Sequence, residues 1–531
     1  MKTTIKLIAK LFIYLALYAF SLLSFKIASS QNLTQVIKGN VVDVETQTSL
    51  SGATVVVLGT NPILGTSTDM DGNYRIENAP LGRYSIQVAF VGYEQVVIPE
   101  VLITSSKEVV LNVGLKQSIN HIQEVVVKAH TRKDKPMNPM ATISAKSFTV
   151  EETRRYAGGL DDPARMASAF AGVTVGNIQD NAIIIRGNSP KGVSWRLEGV
   201  EIPNPNHFAG GNVAGGGVVT VFSSQLLANS DFFTGAFPAE YGNALAGVFD
   251  MKLRSGNNEK RESTFQAGLM GIDFASEGPF VKGGKSSYLF NYRYSTLDII
   301  SKLGLIPSEQ IPRYQDLSFK LNFPTSKAGT FSVWGVGAID NNTEPEDKDS
   351  VNWETDWDRT SYDWNISMGA AGITHKILLG SKTYLNTSLA ASGTVNTMFG
   401  ERYDDLLALR PNWDFTDKSG RVGVNTFLNH KFSAKHTVRT GVNYSKILYN
   451  IDLSSTINDK PETFQNFVEQ KGSSDYAEFY IQSKYSVTHN LTANTGVNFN
   501  YFALNGNYSI DPRFSLKWDF AQNQSISFGY G

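Results

Sequence analysis

Cysteine is absent from the 531 residues. That excludes a disulfide framework and thiolate metal sites, and it suits a chain that crosses an oxidising compartment without stray thiols. Charge is scarce: Asp, Glu, Lys and Arg make up 18% of the chain, against roughly 25% in an average soluble protein. The formal net charge of −1 leaves no bulk attraction for nucleic acid or anionic lipid. Past the N-terminus no apolar run reaches the about 20 residues that a membrane-spanning helix needs. A membrane-embedded chain of this kind would have to be a barrel, because only helices and closed barrels satisfy every backbone group in lipid. Enzyme signatures are missing as well. The seven histidines show no H-E-x-x-H or clustered ligand spacing, and no G-x-S-x-G elbow occurs. Gly283-Gly284-Lys285-Ser286 is like the end of a phosphate loop, but the preceding glycine is Gly278, followed by Pro279, so the spacing fails. No catalytic residue, cofactor or metal is assigned, and the chain is not read as an enzyme.

Aromatics, by contrast, are plentiful, with 22 Tyr and 31 Phe. From about Glu262 onward, apolar and polar residues alternate in segments of roughly ten residues, as expected where one strand face meets lipid and the other a wet lumen. Phe290 and Tyr292 alternate with Asn291 and Arg293; Leu317, Phe319 and Leu321 with Ser318 and Lys320; Val497, Phe499 and Tyr501 with Asn498 and Asn500. A soluble β-sandwich would show the same period with its polar face outward. Short turns at Ser326–Gly329, Gly380-Ser381 and Ser433–Lys435 contrast with long polar stretches at Asp340–Ser361, Gly400–Gly420 and Ser454–Ser474, which are expected as outer loops. The acidic stretch at 340–361 reads either as a ligand-capturing surface or as a solvated loop.

At the N-terminus, Lys2, Lys6 and Lys10 precede the apolar run Leu11–Phe25, and Ala28-Ser29-Ser30 offers a small-residue cleavage site. Residues 1–30 therefore read as a secretory signal peptide, with an uncleaved anchor as the alternative. Residues 34–118 follow as a small β-sandwich: a first strand at Ile37–Asp43, a second at Thr54–Leu58, and a third leading into the Asp71-Gly72 turn. Asp69 and Asp71 begin like a calcium loop, but Pro80 stands where the bidentate Glu belongs, so a hairpin turn is the reading. Thr68-Asp69-Met70-Asp71-Gly72-Asn73-Tyr74 and Pro80-Leu81-Gly82-Arg83-Tyr84 resemble elements of the carboxypeptidase regulatory-like (transthyretin-like) domain.

Residues 121–141 hold a short β-branched run, Glu124-Val125-Val126-Val127-Lys128-Ala129, and then a charged, proline-bearing linker. An unpaired strand here suits β-augmentation by a partner; the alternative is that it closes the preceding sandwich. Next, residues 142–255 alternate short β-branched runs with glycine and proline turns, the pattern of a compact α+β domain. Thr149 and Glu152 form a capping box for a helix at 150–157. Asp162 caps a second helix, with Pro163 at its first position, running to Gly172.

Three pieces of this domain, Ile185-Arg186-Gly187-Asn188, Leu197-Glu198-Gly199-Val200 and Pro238-Ala239-Glu240-Tyr241-Gly242, followed by Arg254-Ser255-Gly256, resemble the plug of TonB-dependent outer-membrane receptors. In that family Asp usually stands where Glu198 is. The resemblance implies a mainly β protein with a sandwich, an α+β plug and an antiparallel transmembrane β-barrel beginning at residue 256. It implies that Glu124–Ala129 is a TonB box, paired by TonB. Arg186, Gly187, Glu198, Gly199, Tyr241, Gly242 and Arg254 then carry the plug's structural motif, and Arg186 and Glu198 are candidates to pair with each other or to meet the barrel wall. The other implied partners are outer-membrane lipid, a surface lipoprotein and a small-molecule, chelate, peptide or glycan ligand; nucleic acid is not among them. Energy-coupled uptake across a Gram-negative outer membrane is the implied activity. A non-transporting surface-binding protein and a non-functional truncated receptor stay open as alternatives. Truncation enters because about 12 alternating segments fit after the plug, whereas plugged transporters of this kind have roughly 22 strands. The 531 residues are accordingly expected to be the N-terminal portion of a longer receptor.

Overall fold

A computed structural model describes residues 33–119, 136–148, 153, 155–156, 159, 162–176, 181–210, 213–268, 271–302, 313–457, 460–521 and 524–531. The expected signal peptide at residues 1–30, the Glu124–Ala129 run and the expected capping box of Thr149 and Glu152 lie outside them.

The N-terminal sandwich contains β1 (Thr34–Asp43), β2 (Thr54–Leu58), β3 (Leu64–Ser67), β4 (Asn73–Pro80), β5 (Gly82–Ala89), β6 (Val96–Ile103), β7 (Val109–Val110) and β8 (Val113–Leu115). One sheet pairs β4 with β1, and β7 and β8 run parallel to β1; the other has the order β3-β2-β5-β6. Alternate residues of β1, β2 and β5 point between the sheets, so Ile37, Val41, Val55, Val57, Ile86 and Val88 form the core. The Thr-Asp-x-Asp-Gly-x-Tyr element is a turn. Asp69 Oδ1 accepts from the backbone N–H of Asp71 (2.9 Å) and Asn73 (2.7 Å). Gly72 sits at φ +77 against Val41 O, where a side chain has no room. Tyr74 is buried and donates to Leu111 O.

The plug holds β9 (Ala145–Phe148), α1 (Pro163–Ala167), β10 (Val173–Val175), β11 (Ile183–Ile185), β12 (Val193–Leu197), β13 (Val200–Ile202), β14 (Ser230–Phe233) and β15 (Gly247–Met251). Its sheet runs β13-β12-β15-β14-β9, with β12 and β15 parallel. The centre is aromatic: Trp195 stacks on Phe249 (4.4 Å, 6°), which also meets Phe232. Asp162 caps α1 as expected, accepting from the N–H of Ala164 and Arg165, and Pro163 occupies the first turn. The helix ends at Ala167, however, and not at Gly172. From Ser168 to Phe170 each N–H reaches back only three residues, so the chain tightens into turns.

The wall is a meander of thirteen antiparallel strands among the described residues. They are β16 (Glu262–Gly268), β17 (Gly271–Pro279), β18 (Ser287–Tyr294), β19 (Arg313–Pro324), β20 (Thr330–Glu344), β21 (Thr360–Leu378), β22 (Thr383–Tyr403), β23 (Leu409–Ser433), β24 (His436–Ile457), β25 (Lys460–Ser486), β26 (Leu491–Phe502), β27 (Asn507–Ala521) and β28 (Gln524–Tyr530). A short helix, α2 (Thr296–Lys302), follows β18. Each strand pairs with its sequence neighbours, and the sheet does not close on itself. The period-two expectation holds in detail. Phe479, Ile481, Val497, Phe499 and Tyr501 are exposed on the outer face, while Glu478, Gln482, Asn494 and Asn498 are buried against the plug. No helix among the described residues is long and apolar enough to cross a membrane, which says nothing of strands.

Two of the three long loops are corrected. Gly400–Gly420 and Ser454–Ser474 are mostly strand, paired in register as in Thr416↔Asp452 and Tyr449↔Gly472. Polar residues interrupt the apolar ones along these hairpin arms, so the hydropathy period fades while the backbone ladder continues. Between β20 and β21 a true loop remains, at 345–359.

Candidate functional site: the seam between plug and wall

Both glycine motifs of the plug are tight hairpin turns. Arg186-Gly187 and Glu198-Gly199 have positive φ at both positions (51° and 81°, 51° and 86°), the geometry of a two-residue primed turn that favours glycine at the second place. They serve different surroundings. Arg186 is exposed. Glu198 does not pair with it; it meets the wall, where Lys320 Nζ lies 2.8 Å from Glu198 Oε1, which also accepts from the N–H of Leu253. The carbonyls of the same turn accept from Ser388 Oγ (3.1 Å) and Asn425 Nδ2 (2.8 Å). One turn thereby touches β19, β22 and β23.

The Pro-Ala-Glu-Tyr-Gly segment is fastened almost residue by residue. Ala239 donates to Gln482 Oε1 (3.0 Å) and its carbonyl accepts from Asn498 Nδ2 (2.7 Å). Glu240 accepts from Arg439 Nη1 (2.8 Å), Asn138 Nδ2 (2.8 Å) and Gln482 Nε2 (3.0 Å). Burial opposes the charge on Glu240, yet Arg439 and these donors hold its carboxyl below the usual range. Tyr241 donates to Asp250 Oδ2 and accepts from Asn138. Gly242 lies so near the carboxylate of Glu478 that a side chain would collide with it.

Where plug becomes wall, Arg254 grips Glu277 with both terminal nitrogens (2.6 and 2.7 Å) and donates through Nε to Gln225 O. Such a fork adds geometric specificity as well as strength. Gly256 passes the backbone of Tyr288 so closely that a Cβ would collide with its carbonyl oxygen.

His207 was beyond the reach of sequence reasoning. It is fully buried between wall carboxylates, Nδ1 at 2.5 Å from Asp340 Oδ1 and Nε2 at 3.0 Å from Asp316 Oδ2. Arg293 also binds Asp316 (2.7 Å) and donates to Thr220 O. Burial works against the imidazolium, but the two carboxylates outweigh it and hold the His207 pKa above its ordinary value. Both ring nitrogens face carboxylate oxygens, an arrangement that favours the doubly protonated ring. Asp316 and Asp340 lie more than a hundred residues away in sequence, so no spacing rule finds the cluster. Glu240 and its partner Arg439 escaped for the same reason, although Glu240 stood inside a recognised motif.

The seam is a set of buried, mostly charge-assisted bonds that holds the plug against the wall. Below the plug, a cavity of about 2110 Å³ lies between sandwich, plug and wall, lined by Arg196, Lys252, Lys320, Lys376 and Arg439 among others.

Residues 37–127 match the CarboxypepD_reg-like domain family. The TonB-dependent transporter Oar of Myxococcus xanthus is 25% identical over 242 residues, covering 44% of this chain and 21% of that protein. The chain thus spans about a fifth of the length of that curated relative. The outer membrane transporter YddB of Escherichia coli superposes with a TM-score of 0.50 at 14% identity, over 73% of this chain and 60% of that one. The ferripyoverdine receptor of the outer membrane of Pseudomonas aeruginosa, bound to ferripyoverdine, gives 0.53 at 13% identity, over 75% and 57%. The structural likeness shows a shared fold, and these similar proteins are transporters and receptors.

Proposed function

We propose that this chain belongs to an outer-membrane receptor for energy-coupled uptake of a scarce ligand, its plug gated by TonB acting on Glu124–Ala129. The observation that carries the reading is a plug held by a polar seam against a wall whose outer face is apolar. Such a wall belongs in lipid, and such a plug can be retained or displaced without unfolding the wall. In this reading residues 1–30 direct export, the short turns and the sandwich face the periplasm, and the long β22–β25 arms stand outside with a surface lipoprotein as a possible companion. The ligand class is open among iron chelates, glycans, peptides and vitamins, because function lives in sites and not in folds.

Val126→Pro in the complete receptor tests it. Proline removes a ladder donor and should abolish coupled uptake across a panel of labelled ligands while assembly in the outer membrane stays intact; unchanged uptake would sink the TonB assignment. A second reading has its own support. The domain-family match extends to residue 127 and so takes in Glu124–Val127, as expected if that run closes the sandwich. Under that reading Val126→Pro lowers the sandwich's stability and leaves uptake to follow its folded fraction.

A further inference from the structure

The sandwich touches the wall through more than a tether. Among the described residues, its polar contacts with the wall lie at the short-turn end and fall into two groups, one at residues 257–262 and β17 with its following turn, the other at β21 and β23. At β23, Lys431 Nζ lies 2.8 Å from Asp43 Oδ2 and 3.1 Å from Glu45 Oε2, all three side chains 5% exposed or less. Asn429 Nδ2 donates to Glu45 O (2.7 Å) nearby. The loop that presents these acids is built for it: Asp43 Oδ1 accepts from the N–H of Glu45 and Thr46, and Gln47 turns back at φ 61 to receive Lys376 from β21. At the other side, Lys38 donates to Asn257 Oδ1 (2.7 Å) and pairs with Glu108 and Glu259. Lys107 reaches Glu277 (3.3 Å), and the Glu108 N–H reaches Glu262 Oε1 (3.1 Å).

Arg254, the last anchor of the plug, grips the same Glu277. Sandwich, plug and wall thus share one carboxylate, while the Lys431 latch involves only sandwich and wall. Between the latches lies the cavity below the plug, with Lys38, Lys107 and Glu108 on its sandwich side and Ser332, Lys376 and Tyr384 on its wall side. Buried ion pairs of this kind add little net stability but specify one docked geometry, and removing one partner leaves the other charge stranded. That is the energetics of a latch that is either closed or fully open.

We infer that the sandwich is a lid, clamped across the short-turn end of the wall by the Lys431 latch and the Lys38–Asn257 latch, and that its undocking opens the space beneath the plug. The occupant of the surface is this chain's own N-terminal domain. The inference rests on contacts between domains and stands whether or not the protein transports.

The cysteine-free chain makes the test clean. A single thiol at Ser332→Cys, inside the cavity, is labelled with a bulky maleimide in the complete receptor reconstituted in bilayers. Spin labels at Met70→Cys and Lys435→Cys, in a parallel preparation, report whether the sandwich is docked. Lys431→Glu combined with Lys38→Glu should lengthen the spin–spin distance and raise the labelling rate roughly tenfold or more. Adding Asp43→Lys and Glu45→Lys to Lys431→Glu alone should restore both readings. A sandwich that stays docked after both reversals overturns the latches. A sandwich that leaves without faster labelling overturns the lid. Deleting residues 33–119 supplies the open reference should the reversed variant fold poorly; labelling no faster than the parent's there overturns the lid as well. Uptake is not measured, so these outcomes are separate from the fate of the transport reading.

Discussion

Glu240→Gln isolates one buried plug-to-wall contact. Three donors, Arg439, Asn138 and Gln482, converge on the Glu240 carboxylate. The new amide nitrogen would therefore face donors and find no acceptor, and Arg439, 4% exposed, would lose its counter-charge. Removing one partner of a buried pair costs about 3–5 kcal/mol. Arg439 keeps Asn429 Oδ1 (3.1 Å), Tyr384 OH (3.3 Å) and the face of Phe427 (4.6 Å), so the loss should sit at the low end, about 3 kcal/mol. The assay is equilibrium denaturation in micelles followed by tryptophan fluorescence, since Trp195 sits in the plug core. A double-mutant cycle with Arg439→Met should give a coupling of roughly 1–3 kcal/mol. If the two changes add within about 0.5 kcal/mol, the pair does not hold the plug and the reasoning fails.

Other expectations follow from the same seam. The folded pKa of His207 is raised above its ordinary 6.5, so its contribution is fully present below that pH and is lost as pH rises through the folded value. The melting point of the plug–wall unit should fall over that window, and His207→Leu, which also strands Asp316 and Asp340, should flatten the slope. Gly256→Ala drives a Cβ into Tyr288 O and should cost about 1–3 kcal/mol or block assembly; Gly283→Ala, in an open turn at φ +80, should cost about 1 kcal/mol in the same denaturation assay. Ile481→Arg places a charge on the outer face and should lower stability in bilayers by about 2–4 kcal/mol if that strand position lies near the midplane; an unchanged folding yield in vesicles would argue against a lipid-facing wall.

Much of the architecture was legible because it depends on local rules. Period-two hydropathy identified wall strands such as Leu317–Phe323 and Val497–Tyr501, since alternate side chains of a strand meet different solvents. Gly187 and Gly199 were found because only a few residue types tolerate positive φ, and Asp162 because a cap and Pro163 write a helix start plainly. Where polar residues break the alternation the signal fades, and two hairpin arms read as loops. The reach of α1 was overestimated because nothing in Ser168–Phe170 forbids another helical turn.

Sequence alone thus determined that the chain is mainly β, that a glycine-turned domain precedes a wall of alternating strands, and that a small sandwich leads them. These features are set by neighbours in the chain. Only the tertiary structure decided which charges meet: Glu198 with Lys320 and not Arg186, Glu240 with Arg439, His207 between Asp316 and Asp340, Lys431 with the sandwich's Asp43. An ion pair is fixed by position in space, and residues more than a hundred apart in the chain leave no mark of their meeting in its order.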